Sequence, residues 1–369
     1  MNPNTRVPVL APDGRPLMPT KYRRASQWVQ HGKATWMSTD LNVYAVQLMG
    51  EPSGRKTQRI SLGVDPGKRF TGIGLVSSKA TLLKRHIALP FERVKARKET
   101  QKILRRARRG RRINRNLPFS ERAHRQKRFS NRRGKKLPPS IRANKELEKR
   151  LIVEIFRLFP VTCVVWELVR ADVDLTSGRK GARSGKGFSP VMVGQRQMLT
   201  WLRSFTTVYE MQGWQTKSTR EYLGLAKSPD KKAQTPESHA NDGLALAAAY
   251  FVRYVPTGTG RDWVGEIRLT SAPFRVVSRP QLYRRQLHFE NPCKGGSRKR
   301  KGGTVTPWGF RSGDYVQSEK SGQLYRGWIG GYSEKNRVLS IYNHNWRRVG
   351  QFRVSKVSLI KRSNGLCVA

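Results

Sequence analysis

Three short segments hold carboxylates in a chain that has few to spare. They are Gly63-Val64-Asp65-Pro66-Gly67, Val164-Val165-Trp166-Glu167 and Ser238-His239-Ala240-Asn241-Asp242. The 369 residues include 74 Lys plus Arg against 24 Asp plus Glu, a formal net charge of +50. An acid ending an apolar strand in such a chain needs an explanation, and a divalent metal is the natural one. Hard carboxylate oxygens suit Mg²⁺, and two such ions about 3.5–4 Å apart can hydrolyse a phosphodiester. One ion helps generate and aim a hydroxide; the other stabilises the departing 3′ oxygen. On this reading Asp65 bridges the ions, and Glu167 and Asp242 each favour one. His239 orients or deprotonates the attacking water, or ligates a metal. Mn²⁺ is expected to substitute for Mg²⁺. Singly, a G-x-D-x-G turn or a Glu after an apolar strand is commonplace; the order and setting of all three segments carry the reading.

The charge imbalance names the partner class. A net +50 is the electrostatic footprint of a nucleic-acid binder. A membrane-surface protein would want a lipid anchor or a basic amphipathic helix with a continuous apolar face, and neither is evident. No stretch approaches the length of an apolar membrane span. The opening Met1-Asn2-Pro3-Asn4-Thr5 has no apolar signal region, so secretion is not expected and a cytoplasmic location is. Cys163, Cys293 and Cys367 are too far apart for a zinc knuckle, and Cys163 reads as a small core residue.

The elements that must position the carboxylates follow from periodicity. Ile60, Leu62 and Val64 alternate with Ser61, Gly63 and Asp65, which puts Asp65 on the face opposite those apolar residues. Strands are expected at Thr71 to Val76 and Thr81 to Leu89, completing a meander. Residues 92–150 carry 24 Lys plus Arg and 5 Asp plus Glu, a net of +19. The tract from Glu92 to Arg115 is too polar to be buried, and its like charges repel at helical spacing. It reads as a helix clasping nucleic acid through Arg93, Arg97, Arg105, Arg106, Arg108, Arg109, Arg111, Arg112 and Arg115. Pro138-Pro139-Ser140 opens a helix to about Phe159 with Leu147, Leu151, Ile155 and Leu158 on one stripe. Val161 to Glu167 is an apolar strand of the kind found mid-sheet.

Further on, a basic Gly/Ser-rich loop occupies 176–190, a helix 193–211 and a short strand Trp214 to Ser218. Thr235 and Pro236 suit the N-cap and first position of a helix running to about Tyr254. Pro256 to Gly260 reads as a linker to short strands forming a small β-barrel with a basic insertion at 294–303. Its Trp308, Tyr315, Tyr325, Trp328 and Trp346 mostly fill a small core. The other histidines, His31, His86, His124, His288 and His344, read as surface or nucleic-acid contacts.

This order of elements is that of an RNase H-like α/β fold, in which the first and fourth strands are neighbours. Asp65 and Glu167 then point into one cleft, and His239 and Asp242, three apart, share a helix face. The expected segments are an N-terminal module (1–57), a first core segment (58–91), the Arg-rich helix and connector (92–137), a second core segment (138–175), the loop (176–190), a third core segment (191–255) and a C-terminal β-rich domain (256–369).

With those residues in hand, the chain resembles the transposon-encoded IscB/IsrB family of RNA-guided nucleases. Pro16-Leu17-Met18-Pro19 matches the signature of that family's N-terminal PLMP module. Gly63-Val64-Asp65-Pro66-Gly67, Val165-Trp166-Glu167-Leu168-Val169 and His239-Ala240-Asn241-Asp242-Gly243 resemble the three RuvC-like motifs. The tract from Arg93 to Arg115 resembles the bridge helix. IscB proteins carry an HNH nuclease between the second and third motifs; here only 71 residues, 168–238, lie between them, with no His-Asn-His pattern. The chain therefore resembles the HNH-lacking IsrB branch. The resemblance implies a monomeric, RNA-guided DNA nickase of the prokaryotic cytoplasm, nucleoid-associated when on DNA: a long structured omega-type guide RNA pairs with the target strand beside a flanking motif, and the RuvC-like site cuts the displaced strand. The competing readings are an unguided RNase H-like resolvase and a non-catalytic basic RNA-binding protein.

Overall fold

Strand alternation between Ile60 and Asp65 produces the strand it calls for, and that strand lies mid-sheet. The computed structural model describes residues 5–110, 114–121, 137–169, 190–258, 260–281, 288–289, 300–301 and 305–369. In chain order the elements begin with β1 (Arg6–Leu10), β2 (Pro16–Lys21), α1 (Tyr22–Gln30), β3 (Ala34–Ser38) and β4 (Tyr44–Leu48). They continue with β5 (Ile60–Pro66), β6 (Phe70–Ser77), β7 (Ala80–Ala88), α2 (Phe91–Gly110), α3 (Pro139–Leu158) and β8 (Cys163–Leu168). Then come α4 (Pro190–Arg203), β9 (Thr207–Gln212), α5 (Gly213–Tyr222), α6 (His239–Ala248), β10 (Val252–Thr257) and β11 (Gly260–Gly265). Last are β12 (Phe274–Ser278), the short pair β13 (His288–Phe289) and β14 (Arg300–Lys301), β15 (Tyr315–Lys320), β16 (Gln323–Ser333), β17 (Val338–Tyr342), β18 (Arg348–Arg353), β19 (Val357–Lys361) and β20 (Cys367–Val368).

The main sheet has the order β20-β12-β7-β6-β5-β8-β9. β5, β6 and β7 form an antiparallel meander, and β5 pairs in parallel with β8, with Val64 opposite Trp166. The first and fourth strands of the core are therefore neighbours, as the RNase H-like order requires. One face of the sheet packs on α3 and α4. Ile60, Leu62, Val64 and Trp166 meet Leu147, Leu151, Ile155, Met198 and Leu202 there, all fully buried. Burial of each such side chain stabilises the fold by about 1.5–3 kcal/mol relative to exposure. Cys163 is a buried free cysteine of this core strand.

The opposite face carries α6, set down on glycines. A Cβ on Gly63 would strike the Gly243 carbonyl, one on Gly72 the His239 carbonyl, and one on Gly74 the Leu244 backbone. Side chains are absent from β5 and β6 where the helix backbone comes closest, and this close approach brings α6 down to Asp65.

Several elements differ from the sequence reading. Pro16-Leu17-Met18-Pro19 begins β2, paired with β1, and the helix expected over 193–211 ends at Arg203, Thr207 to Gln212 forming β9. Trp214 to Ser218 is not a strand but part of α5, whose start is held by reciprocal side-chain bonds of Gln212 and Gln215. The helix expected to start at Thr235 starts at His239, since Thr235 to Ser238 is a turn closed by the Ser238 amide on the Thr235 carbonyl at 3.1 Å. It ends at Ala248, and Pro256 and Thr257, instead of opening a linker, pair with Arg261 and Gly260 in the β10–β11 hairpin. The main sheet also draws β12 and β20 from beyond residue 255, β12 pairing in parallel with β7.

The C-terminal strands form a five-stranded antiparallel sheet, β18-β17-β16-β15-β19. Trp328 and Trp346 are buried beside Tyr315 and Tyr342, the core-filling role expected of the tryptophans. The loop at 176–189 and most of the insertion at 294–303 lie outside the described residues, as does Cys293. Among the described residues no helix is long and apolar enough to cross a membrane.

Candidate metal centre

Asp65 is the penultimate residue of β5 and leaves the sheet on the α6 side. Glu167 leaves β8 on the same side, because Trp166 between it and Val165 points into the α3 core. His239 begins α6 and Asp242 lies in its first turn. One ligand atom each from Asp65, His239 and Asp242 lie within 4.8 Å of one another. His239 Nδ1 is 3.1 Å from Asp65 Oδ2. Three residues separated by up to 177 positions thus share one site, with the positive end of α6 beside the carboxylates.

Glu167 stands at the margin of this cluster. Thr216 of α5 donates its hydroxyl to Glu167 Oε2 at 2.5 Å, and Gly213 backs it so closely that an added Cβ would lie 3.4 Å from Oε1. Burial, together with the charges of Asp65 and Asp242, pushes the Glu167 carboxyl up to about 7, against the pull of the Thr216 bond. The bond to Asp65 raises His239 above the ordinary histidine range despite its burial.

The sequence reading missed the cations facing these acids. Arg220 Nη1 bonds Asp242 Oδ1 at 2.6 Å, and the Lys227 ammonium bonds Oδ2 of the same carboxylate. It also missed His86, which is fully buried and not a surface contact. Its Nδ1 bonds the Ser238 hydroxyl at 2.9 Å, its ring lies 5.8 Å from that of His239, and burial with the nearby His239 pushes it down to about 4. Phe70 stacks on His239 from another side at 5.8 Å. The Ser238 hydroxyl is therefore engaged with His86 and does not cap α6. Beneath Trp166, Lys145 Nζ pairs with the buried Glu148 at 2.7 Å, and Thr71 donates to the same carboxylate at 2.8 Å. Only the helical spacing of Lys145 and Glu148 signals that pair in the sequence.

The donor set fits a divalent cation. Asp65 and Asp242 offer hard oxygens, His239 an imidazole nitrogen, and Glu167 a further carboxylate within electrostatic reach. Asp242 is held by two basic side chains, a measure of how strongly this corner demands positive charge.

The raised Glu167 value has a testable sign. Its folded-state value of about 7 lies above the ordinary 4.5, so protonation there favours the folded metal-free protein. That contribution is present below the ordinary value and is lost as pH rises through about 7. Glu167→Gln should therefore raise the melting temperature of metal-free protein by roughly a few degrees at pH 8 and leave it unchanged near pH 4. Differential scanning fluorimetry in EDTA reads this directly; a lower melting point for the variant at pH 8 would contradict the electrostatic picture.

The arginines of the basic tract divide. Arg97, Arg105 and Arg106 are exposed on α2, whereas Arg93 is half-buried and donates to the Arg279 carbonyl at 3.2 Å, so it fastens α2 to the body. Arg108 and Arg109 fall in the last turn of α2. Arg115 lies just beyond it, exposed, and Arg111 and Arg112 lie outside the described residues.

No curated protein matches this chain. Among solved structures, T. thermophilus RuvC in complex with Holliday junction substrate is similar at 15% identity, over 52% of this chain and 90% of that one, with a TM-score of 0.27. Within the chain, Arg105-Arg106-Ala107-Arg108-Arg109 and Arg108-Arg109-Gly110-Arg111-Arg112 both have the form Arg-Arg-X-Arg-Arg. Residues 7–187, from β1 to the segment before α4, match the family model described as RRXRR protein.

Proposed function

We propose that this chain is a metal-dependent DNA endonuclease of the IsrB type, guided by RNA and cutting one strand. The observation that carries the proposal is the convergence of Asp65, His239 and Asp242, with Glu167 alongside, in a chain of net charge +50. Asp65, Asp242 and Glu167 would hold the ions, two Mg²⁺ being the expected complement, and the free nitrogen of His239 would serve either as a further ligand or as the base. Bound there, a divalent cation supplies an acidified water and neutralises charge on the departing oxygen.

The chain's own residues do the rest. Asp65 accepts a hydrogen bond from the Nδ1–H of His239, which leaves Nε2 as the nitrogen able to take a proton from an attacking water. Thr216 fixes the carboxylate of Glu167. Lys227, with a side chain 41% exposed, can leave Asp242 for a backbone phosphate. The exposed arginines of α2 would bind guide backbone, which recognises sequence by pairing and leaves the protein to hold phosphates. The RRXRR family match spans this helix.

The test is direct. RNA copurifying with the full chain is sequenced, and supercoiled plasmids with and without its complement are incubated with Mg²⁺ or EDTA. Open circles should form only with the complement and Mg²⁺. Linear product would show two cut strands, and nicking without the complement would mark an unguided nuclease.

A further inference from the structure

Beside the carboxylates, on the outer side of α5, the protein exposes aromatic rings that no core uses. Trp214 is 67% exposed, Tyr254 50% and Tyr209 47%. With Tyr250, Trp263 and Arg59 they line an open groove of about 960 Å³ between β9, α5 and the β10–β11 hairpin. The rings already sit in stacking relations. Trp263 lies nearly flat on Tyr222, centroids 4.2 Å apart at 10°, and is 5.5 Å from Tyr254. Tyr209 and Tyr250 are 5.5 Å apart, and Arg59 donates to the Tyr250 hydroxyl at 2.7 Å.

The groove joins the carboxylate site through adjacent residues. Val165 lines it, two positions before Glu167 on the same face of β8. Trp214 follows Gly213, the residue backing Glu167. Thr219 lines it, and Arg220, the next residue of α5, holds Asp242. One helix therefore serves both places: Thr216 and Arg220 face the acids, and Trp214 and Ser218 face the groove.

Charge decides the occupant. Among the described lining residues Glu210 is the one acid, and Arg203 pairs with it. Arg59 and Arg253 add positive charge to a chain already at +50. Exposed rings flanked by guanidinium groups are how proteins hold single strands without reading sequence: bases stack on the rings and phosphates meet the cations. A duplex keeps its base faces inside, so only an unpaired strand can place bases among these rings. We propose that the groove is a stacking site for the bases of the single-stranded DNA that lies next to the scissile phosphate. This rests on the nuclease reading for the identity of the strand.

The experiment uses the full chain and a single-stranded oligodeoxynucleotide bearing 5-iododeoxyuridine, in EDTA and at salt high enough to suppress backbone-only binding. After irradiation, adducts are mapped by mass spectrometry. Peptides carrying Trp214, Tyr254 or Trp263 should be labelled. Trp214→Ala and Trp263→Ala, with unchanged melting temperatures, should each weaken binding roughly tenfold. Abasic positions in the DNA should weaken the unaltered protein similarly and cost the double variant little, since ring and base remove the same stack. Adducts confined to other peptides, or ring and base losses that simply add, would overturn the proposal. Preferential labelling of these peptides by the matching iodouridine RNA would also overturn it, making the groove an RNA site. Asp65-dependent plasmid cleavage is scored separately. Cleavage without groove adducts defeats the groove alone; groove adducts without such cleavage defeat the nuclease reading and leave a single-strand site.

Discussion

Asp65→Asn should lower Mg²⁺-dependent cleavage by at least about a thousandfold while nucleic-acid binding stays within about twofold of the unaltered protein. The size follows from the position of the side chain. Asp65 is at once a member of the carboxylate and imidazole cluster and the hydrogen-bond partner of His239 Nδ1 at 3.1 Å. Asparagine removes the negative charge that draws a cation, and its amide, able to present either oxygen or NH2 to Nδ1, no longer fixes which imidazole nitrogen carries the proton. His239 should then fall back toward its ordinary value, because the Asp65 bond is the leading cause of its rise. Any residual activity should therefore persist to lower pH on the histidine limb. Single-turnover cleavage across pH, beside a gel-shift titration, measures both effects. Residual activity above about a tenth of the original would mean that Asp65 is not a ligand of the reacting ions.

The second large effect is expected far from any charged atom. Gly72→Ala would place a Cβ against the carbonyl of His239, backbone against backbone, where neither side can yield. α6 would have to lift off β6, and His239 and Asp242 both ride on its first turn. Overpacking of this kind costs about 1–3 kcal/mol or more. A displacement near 1 Å at a catalytic site costs roughly a hundredfold in rate. Thermal melts and single-turnover cleavage should therefore fall together. Gly331→Ala is the control: its Cβ would meet nothing nearer than Ser340 Cβ at 3.9 Å, so stability and cleavage should change little. Full activity in Gly72→Ala would show that the glycine face does not set the position of α6.

Much of the frame was legible in the chain because it depends on local spacing. Period-two alternation over Ile60 to Asp65 placed the aspartate on the face away from the α3 core, and α3 buries the stripe Leu147, Leu151, Ile155 and Leu158 that its sequence spells out. The adjacency of β5 and β8 followed from element order. Other features were misread where local signals and tertiary contacts diverge. Residues 214–218 contain Trp and Thr, which favour strands, yet α5 forms because Gln212 and Gln215 close its first turn and Thr216 bonds Glu167 across the site. Thr235 and Pro236 are good helix starters, but the Ser238 hydroxyl is committed to buried His86, and α6 begins one turn later.

By itself, then, the sequence determined which side chains could do chemistry, on which strand face or helix face each one sits, and that the chain carries a charge of +50 suited to a polyanion. Only the tertiary structure decided that Arg220 and Lys227 clasp Asp242, that Glu167 is forced toward neutrality, and that exposed aromatic rings gather beside the acids. The physical reason is separation along the chain. Periodicity is a property of neighbours, whereas a charge's partner and its desolvation depend on which distant elements cross it. Here that crossing is set by a helix resting on strands stripped of side chains at Gly63, Gly72 and Gly74.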